Sequence, residues 1–282
     1  MKRVNFCTAL LWLGFCGLLM ISRPVPVHAS AATDYLHSTH TATVYVHGYN
    51  GGTYTTNDLI KAADKAGAAQ KTVEATVSKT GKVIFTGKWP KDTINPIVQV
   101  VFKKNNAAPS RQTAWLYKVL ADLKKTYGVT KYNGVGHSLG CNVLVNEALL
   151  HSHDTRLPKL NKLMTIAGPF NGVVGLGDHP DMNRLNSKEA PAIMNTTYLA
   201  MLRLRKHFPS NAKVLNVFGD LHNGTKTDHY VSVPSAKSLG YILRGVAKSY
   251  QELEVKGKNA EHSDLHDNAT VSKAMIRFLW GK

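Results

Sequence analysis

"GVGHSLGCN", residues 134–142, decides how the rest of the chain is read. It sets Ser138 between Gly136 and Gly140, with His137 just before it. A Gly-x-Ser-x-Gly match is weak alone, since a chain this long yields one by chance on the order of one time in ten. Its flanks carry more weight. "TKYNGV" (130–135) reads as a strand and "LGCNVLVNEALL" (139–150) as a helix. The serine therefore falls on a strand-to-helix turn, as a nucleophile elbow requires. The turn is tight enough that the residues two before and two after the serine must be small, and both are glycine. It also puts Ser138 at a helix amino end, where partial positive charge favours a developing alkoxide.

Outward from the elbow, strands and helices alternate. "TATVYV" (41–46), "NPIVQVVF" (95–102), "LNKLMTIA" (160–167), "KVLNVFG" (213–219) and "YQELEV" (250–255) read as strands, and "TVEATVSKTGKVIFTG" (72–87) as two strands around a turn. Helices are expected over 57–69, 110–127, 235–243 and 267–280, the last with Val271, Ala274, Met275, Phe278 and Leu279 on one face. Strands this apolar, separated by helices, predict a mostly parallel sheet covered on both faces in one domain over 41–282. Residues 171–212 break the rhythm with a Gly-rich loop and a helical stretch over 190–208, and are expected to form a lid-like insertion above the carboxyl ends of the strands.

A serine hydroxyl is a poor nucleophile without a base, and the base needs a carboxylate to orient it. In this kind of fold the chain order is serine, acid, histidine. The loop between the last strand and the last helix, "AEHSDLHDNATV", offers His262 and His266. His266 is favoured because it directly precedes the capped helix, with His262 second. For the acid, "VFGDLHNGTKTDHYVSVPSA" offers Asp220 at the strand end and Asp228 farther along, nearly even by spacing. Asp264 and Asp267 are too near His266 in sequence to be its natural orienters. An oxyanion needs two backbone N–H donors. Leu139, after the nucleophile, supplies one. Tyr49, in the loop "HGYNGG" where His47 and Gly48 end the first strand, supplies the other.

With both glycine motifs in place the chain resembles the α/β-hydrolase superfamily, and most of all the exported cell-surface α/β-hydrolases of Gram-positive bacteria such as lactobacilli. The resemblance runs from about Thr41 to Trp280 and rests on "VYVHGYNGG", "YNGVGHSLG", "LMTIAGPFNG", "TDHYVSVPSA" and "LHDN…FLW". It implies carboxylic-ester hydrolysis through an acyl-enzyme, with no cofactor. It also tips the acid to Asp228, which matches a Ser/Thr-Asp-Gly-x-Val-like stretch except that His229 stands where that stretch has glycine, and it matches the base to His266. Cys141 stands where the related motif more often has glycine.

The chain opens as a secretory leader: Lys2 and Arg3, an apolar run from Phe6 to Ile21, and Val27-His28-Ala29 at the expected cut. Residues 1–29 are read as that leader and 30–40 as a loose mature terminus. The apolar run falls short of the roughly 20 residues a membrane span needs. Cys7 and Cys16 leave with it, so Cys141 stands alone and no internal disulfide forms. Losing Lys2, Arg3 and Arg23 with no acid takes the net charge from +17 to +14. The lysines are scattered, so nucleic acid is not expected as a partner, whereas anionic wall polymers or a membrane surface are natural counter-charges outside the cell. No His-Glu-x-x-His, paired Cys-x-x-Cys or dense Asp/His cluster marks a metal site. The predicted activity is therefore an exported serine esterase acting on a small ester or acyl substrate. The rival reading is an envelope-binding protein that keeps the fold without the chemistry.

Overall fold

The computed structural model describes residues 35–178, 180 and 182–281, so the expected leader lies outside the described residues, as does His179. In chain order the elements are β1 (Thr41–Val46), α1 (Tyr54–Lys65), β2 (Gln70–Val77), β3 (Val83–Gly87), β4 (Pro96–Phe102), α2 (Pro109–Tyr127), β5 (Lys131–His137), α3 (Leu139–His151) and β6 (Lys159–Ile166). There follow β7 (Val173–Val174), β8 (Gly177–Asp178), α4 (Thr196–Leu204), β9 (Lys213–Asp220), α5 (Val233–Lys237), α6 (Leu239–Leu243), β10 (Ser249–Lys256), α7 (Asp264–Asp267) and α8 (Ala269–Trp280).

Eight strands form one sheet in the order β10-β9-β6-β5-β1-β4-β2-β3, and only β3 runs antiparallel to its neighbour. This is the α/β-hydrolase fold. Inner strands such as β1, β4 and β9 are buried along nearly their whole length, which is why their sequences are continuous apolar runs rather than alternating ones. The edge strands β3 and β10 are half-exposed. Helices α2, α3, α4 and α6 pack one face through residues such as Leu116, Leu120, Leu144, Tyr198 and Ile242. Helices α1 and α8 cover the other through Leu59, Ala63, Val271, Met275 and Leu279.

The strand order positions the site. From β1 the chain runs to β2 and β3 at one edge, comes back to β4 beside β1, then crosses to β5 on the other side of β1 and builds outward through β6, β9 and β10. Two loops therefore diverge at the carboxyl ends of β1 and β5, leaving a crevice where such sheets bind ligands.

Three local expectations change. Residues 35–40 are tied down rather than loose: the Leu36 N–H donates to the Trp280 carbonyl at 2.7 Å and the Ser38 N–H to Asn95 Oδ1 at 3.0 Å. The helix expected from residue 190 starts at Thr196, because the Asn195 side chain accepts from the Tyr198 N–H and so caps it there. The helix expected over 235–243 is two single turns, α5 and α6, broken at Ser238, whose hydroxyl donates back to the Ser235 carbonyl at 2.7 Å. Among the described residues no helix is long and apolar enough to cross a membrane.

Candidate active site

Ser138 sits between β5 and α3 with φ 53° and ψ −124°, a backbone conformation that costs a residue with a Cβ on the order of 1–3 kcal/mol. The turn is held by its neighbours. The Ser138 N–H donates to the Ile166 carbonyl on β6 at 2.8 Å, and its carbonyl accepts from the Cys141 N–H at 2.9 Å. Any Cβ on Gly136 would lie 2.8 Å from the Gly140 carbonyl carbon, and one on Gly140 would run into the Val46 carbonyl oxygen. Both glycines are thus demanded by packing, as the sequence implied. The Cys141 thiol is buried, faces the Gly136 and Ile166 carbonyls, and is pushed up in pKa by that burial, so it fills space as a neutral group.

The loop after β1 lies against Ser138: a Cβ on Gly48 would come 2.9 Å from Ser138 Cβ. His47 holds this loop. Its Nε2 accepts from the Phe102 N–H at 3.0 Å, which leaves Nδ1–H to donate to the Gly48 carbonyl at 2.8 Å. That tautomer is neutral, in keeping with the burial that lowers the His47 pKa. The Asn50 N–H donates to the Asn105 carbonyl, and Asn105 Nδ2 donates to the Gly51 carbonyl, so the turn is pinned on both sides. The Tyr49 N–H donates to no protein acceptor among the described residues. The Leu139 N–H, first in α3, has no carbonyl a turn behind it. The two predicted oxyanion donors are therefore both unspent, on loops that meet at Ser138.

Asp228 is 1% exposed. Its Oδ1 accepts from the N–H groups of Tyr230 at 3.0 Å and Val231 at 2.7 Å. Its Oδ2 faces His262 Nδ1 at 2.8 Å, and the His262 N–H donates to the Asp228 carbonyl at 2.9 Å. Asp220 instead uses its carboxylate on the His222 N–H and faces no imidazole nitrogen among the described residues. The structure therefore brings together Asp228 and His262, not Asp228 and His266.

The reason for that correction lies in the strands. β9 and β10 run in register to the pair Asp220–Lys256, so the residues just beyond both ends meet. Gly219 allows the approach, since a Cβ there would collide with the Ala260 carbonyl and press on Asp228 Cβ. His262 follows Ala260 by two residues. His266 lies one turn farther on, in α7, with its Nδ1 on Asp267 Oδ1 at 2.6 Å. The two histidines are four apart, which is one helical turn, and position before the capped helix was the wrong criterion for choosing between them.

His137, just before Ser138, also joins the site. Its Nε2–H donates to the His262 carbonyl at 3.0 Å, and its ring packs 4.9 Å from that of His262 and 4.8 Å from that of His266. Burial, with two imidazoles beside it, holds its pKa well below the ordinary value, so it stays neutral. Adjacency to the serine in "GHS" was the available signal. Among the described residues no three His, Cys, Asp or Glu side chains gather as metal ligands would.

The segment after β6 runs across this end of the sheet. The Val174 N–H on β7 donates to the Tyr230 carbonyl at 2.9 Å, tying the insertion to the Asp228 loop, and the Tyr230 ring lies 5.4 Å from that of His262.

Residues 31–282 match the family described as "Alpha/beta hydrolase of unknown function (DUF915)". Among solved structures, a Listeria innocua protein is similar at 28% identity and a TM-score of 0.78, over 85% of this chain and 94% of that one. A Lactobacillus plantarum protein assigned as a cell surface hydrolase is similar at 19% identity and a TM-score of 0.68, over 85% of this chain and 89% of that one. No functionally curated protein matches.

Proposed function

The chain belongs to the α/β-hydrolase family DUF915, and from that premise we propose that it is an exported serine hydrolase that cleaves carboxylic esters. The observation that carries the reading is the buried Asp228–His262 pair at 2.8 Å, set beside an elbow that holds Ser138 in a strained, ready conformation. Ser138 Oγ attacks the ester carbonyl carbon while His262 Nε2 takes its proton. Asp228 accepts the Nδ1–H, fixes the tautomer and stabilises the imidazolium. The N–H groups of Tyr49 and Leu139 receive the oxyanion. Collapse expels the alcohol, protonated by His262. Water then repeats the sequence on the acyl-enzyme, releasing the carboxylic acid and the free serine. No cofactor enters any step.

Export rests on the leader-like residues 1–29, and the cell-surface assignment of the Lactobacillus plantarum neighbour accords with it. One experiment tests both parts. Exported protein is treated with a fluorophosphonate, its intact mass is measured and the adduct is mapped. The expected result is a chain starting at Ser30 and labelled on Ser138. Labelling should vanish in His262→Ala and survive in His266→Ala. A folded chain that resists the probe, or one whose labelling depends on His266 and not on His262, would overturn the mechanism.

A further inference from the structure

We infer that the mouth of this site docks on an anionic lipid surface. Eleven large apolar side chains are exposed among the described residues, and six of them lie on three loops at the carboxyl end of the sheet. Tyr49 is on the loop against Ser138. Val174, Leu176, Met182 and Ile193 are on the insertion after β6, and Tyr230 is beside His262. Leu176 is 76% exposed and Met182 67%. Single exposed apolar residues are ordinary, but a group of them on joined loops beside Ser138 and His262 marks an interaction surface.

The loops are physically joined. Val174 bonds to Tyr230, as above. Asn171 Nδ2 donates to the Ile193 carbonyl at 2.7 Å, and the Asn171 N–H to Ser235 Oγ on α5 at 3.1 Å. On the other side the Tyr49 loop is tied to the segment after β4 through Asn50 and Asn105.

Charge selects the occupant. Lys103 and Lys104 precede Asn105, Arg184 lies in the insertion, and Lys226 stands in the Asp228 loop; all four are exposed. Among the described residues of these loops Asp178 and Asp228 are buried, Asp220 is half-buried and Glu189 is paired with Arg244, while the exposed Asp264 and Asp267 belong to α7. An apolar rim with cations beside it fits the headgroups and upper acyl chains of an anionic bilayer. A polyanionic wall polymer would use the lysines and leave Leu176 and Met182 in water. Docked this way, the opening over Ser138 faces lipid, and the esters presented to it are amphiphilic ones. That last step rests on the hydrolase reading; the docking does not.

The test uses the Ser138→Ala protein, which binds without turning over, and sedimentation with vesicles of phosphatidylglycerol or of phosphatidylcholine. The expected result is binding to phosphatidylglycerol over phosphatidylcholine, part of which persists when salt screens the charges. Leu176→Ser with Met182→Ser should weaken that binding by at least about tenfold, given the area two such side chains bury. The same pair in the otherwise unaltered protein should leave turnover of a water-soluble ester unchanged. No binding, equal binding to both lipids, or binding fully released by salt and indifferent to the double substitution would each overturn the proposal. Fluorophosphonate labelling intact with docking lost sinks the docking alone, whereas docking intact with no labelling sinks the hydrolase reading alone.

Discussion

His229 holds φ at 94°, in the left-handed region where a Cβ is strained. It follows Asp228, in the stretch where the related motif carries glycine. The strain is maintained by bonds on either side: the His229 N–H donates to Thr227 Oγ1 at 3.2 Å, and Asp228 Oδ1 gathers the next two N–H groups. A tight turn is what lets one carboxylate accept both amides and still face His262. His229→Gly should therefore relieve strain without moving Asp228. The gain is on the order of 1 kcal/mol, less the added freedom of the unfolded chain, so the net stabilisation is a few tenths of a kcal/mol or more. Urea denaturation checks it. A lower midpoint at unchanged slope would show that the histidine ring, 5.6 Å from that of Tyr230, contributes more than its backbone costs.

Among the elements, the elbow and the strands around it were legible because their signals are local. A run apolar on both faces, a glycine two residues either side of a serine and a capped helix each lie within a few residues. What was not legible depends on register between distant strands. Asp228 and His262 meet because β9 and β10 end level with each other, and no short window contains that fact. The motif resemblance favours Asp228, which faces an imidazole, but also favours His266, which is not the imidazole it faces. The insertion was equally opaque. Its helix begins later than the pattern predicts, because Asn195, whose side chain accepts from the Tyr198 N–H, caps it rather than entering it. Asn171, fully buried, anchors this stretch by donating to Ile193, accepting from the Asn195 N–H at 3.0 Å and bonding Ser235. Asn171→Ala removes both side-chain bonds and leaves their partners unpaired. At about 1–3 kcal/mol per stranded buried group, the insertion should open well before the sheet unfolds. Native-state proteolysis should then cut within residues 172–195 faster than elsewhere. Unchanged cleavage there would mean that packing, not Asn171, holds the segment.

For the whole molecule, buried ionisable groups link stability to pH with opposing signs. Glu147 lies on α3, the helix that begins after Ser138, and is 2% exposed. Burial pushes its carboxyl up to about 7, although the Tyr132 hydroxyl donates to Oε2 at 2.6 Å and favours the charged form. The other groups around it are His151, with Nδ1 3.8 Å from Oε1, and Asp154, whose charge raises it further. With its folded pKa above its unfolded one, the native state binds the extra proton. Its contribution is full below the unfolded value near 4.5 and is lost as pH rises through about 7. His47 and His137 act the other way. Both are held below the ordinary 6.5, so the unfolded chain takes protons first, and stability falls as pH drops below that value. Glu147→Gln separates the two trends, since the amide oxygen still accepts from Tyr132 and carries no charge. At pH 8 the variant should be more stable than the parent by up to about 3 kcal/mol, the size of a shift from 4.5 to about 7. At pH 5 the folded parent is protonated and the difference should shrink to less than about 1 kcal/mol. Below that the variant should decline as the parent does, through His47, His137 and the other groups whose folded pKa lies low. Denaturation midpoints at pH 5, 6.5 and 8 decide it. A pH-independent difference would mean that Glu147 binds no more protons in the folded protein than in the unfolded chain, so that its carboxyl stays charged on α3 over this range.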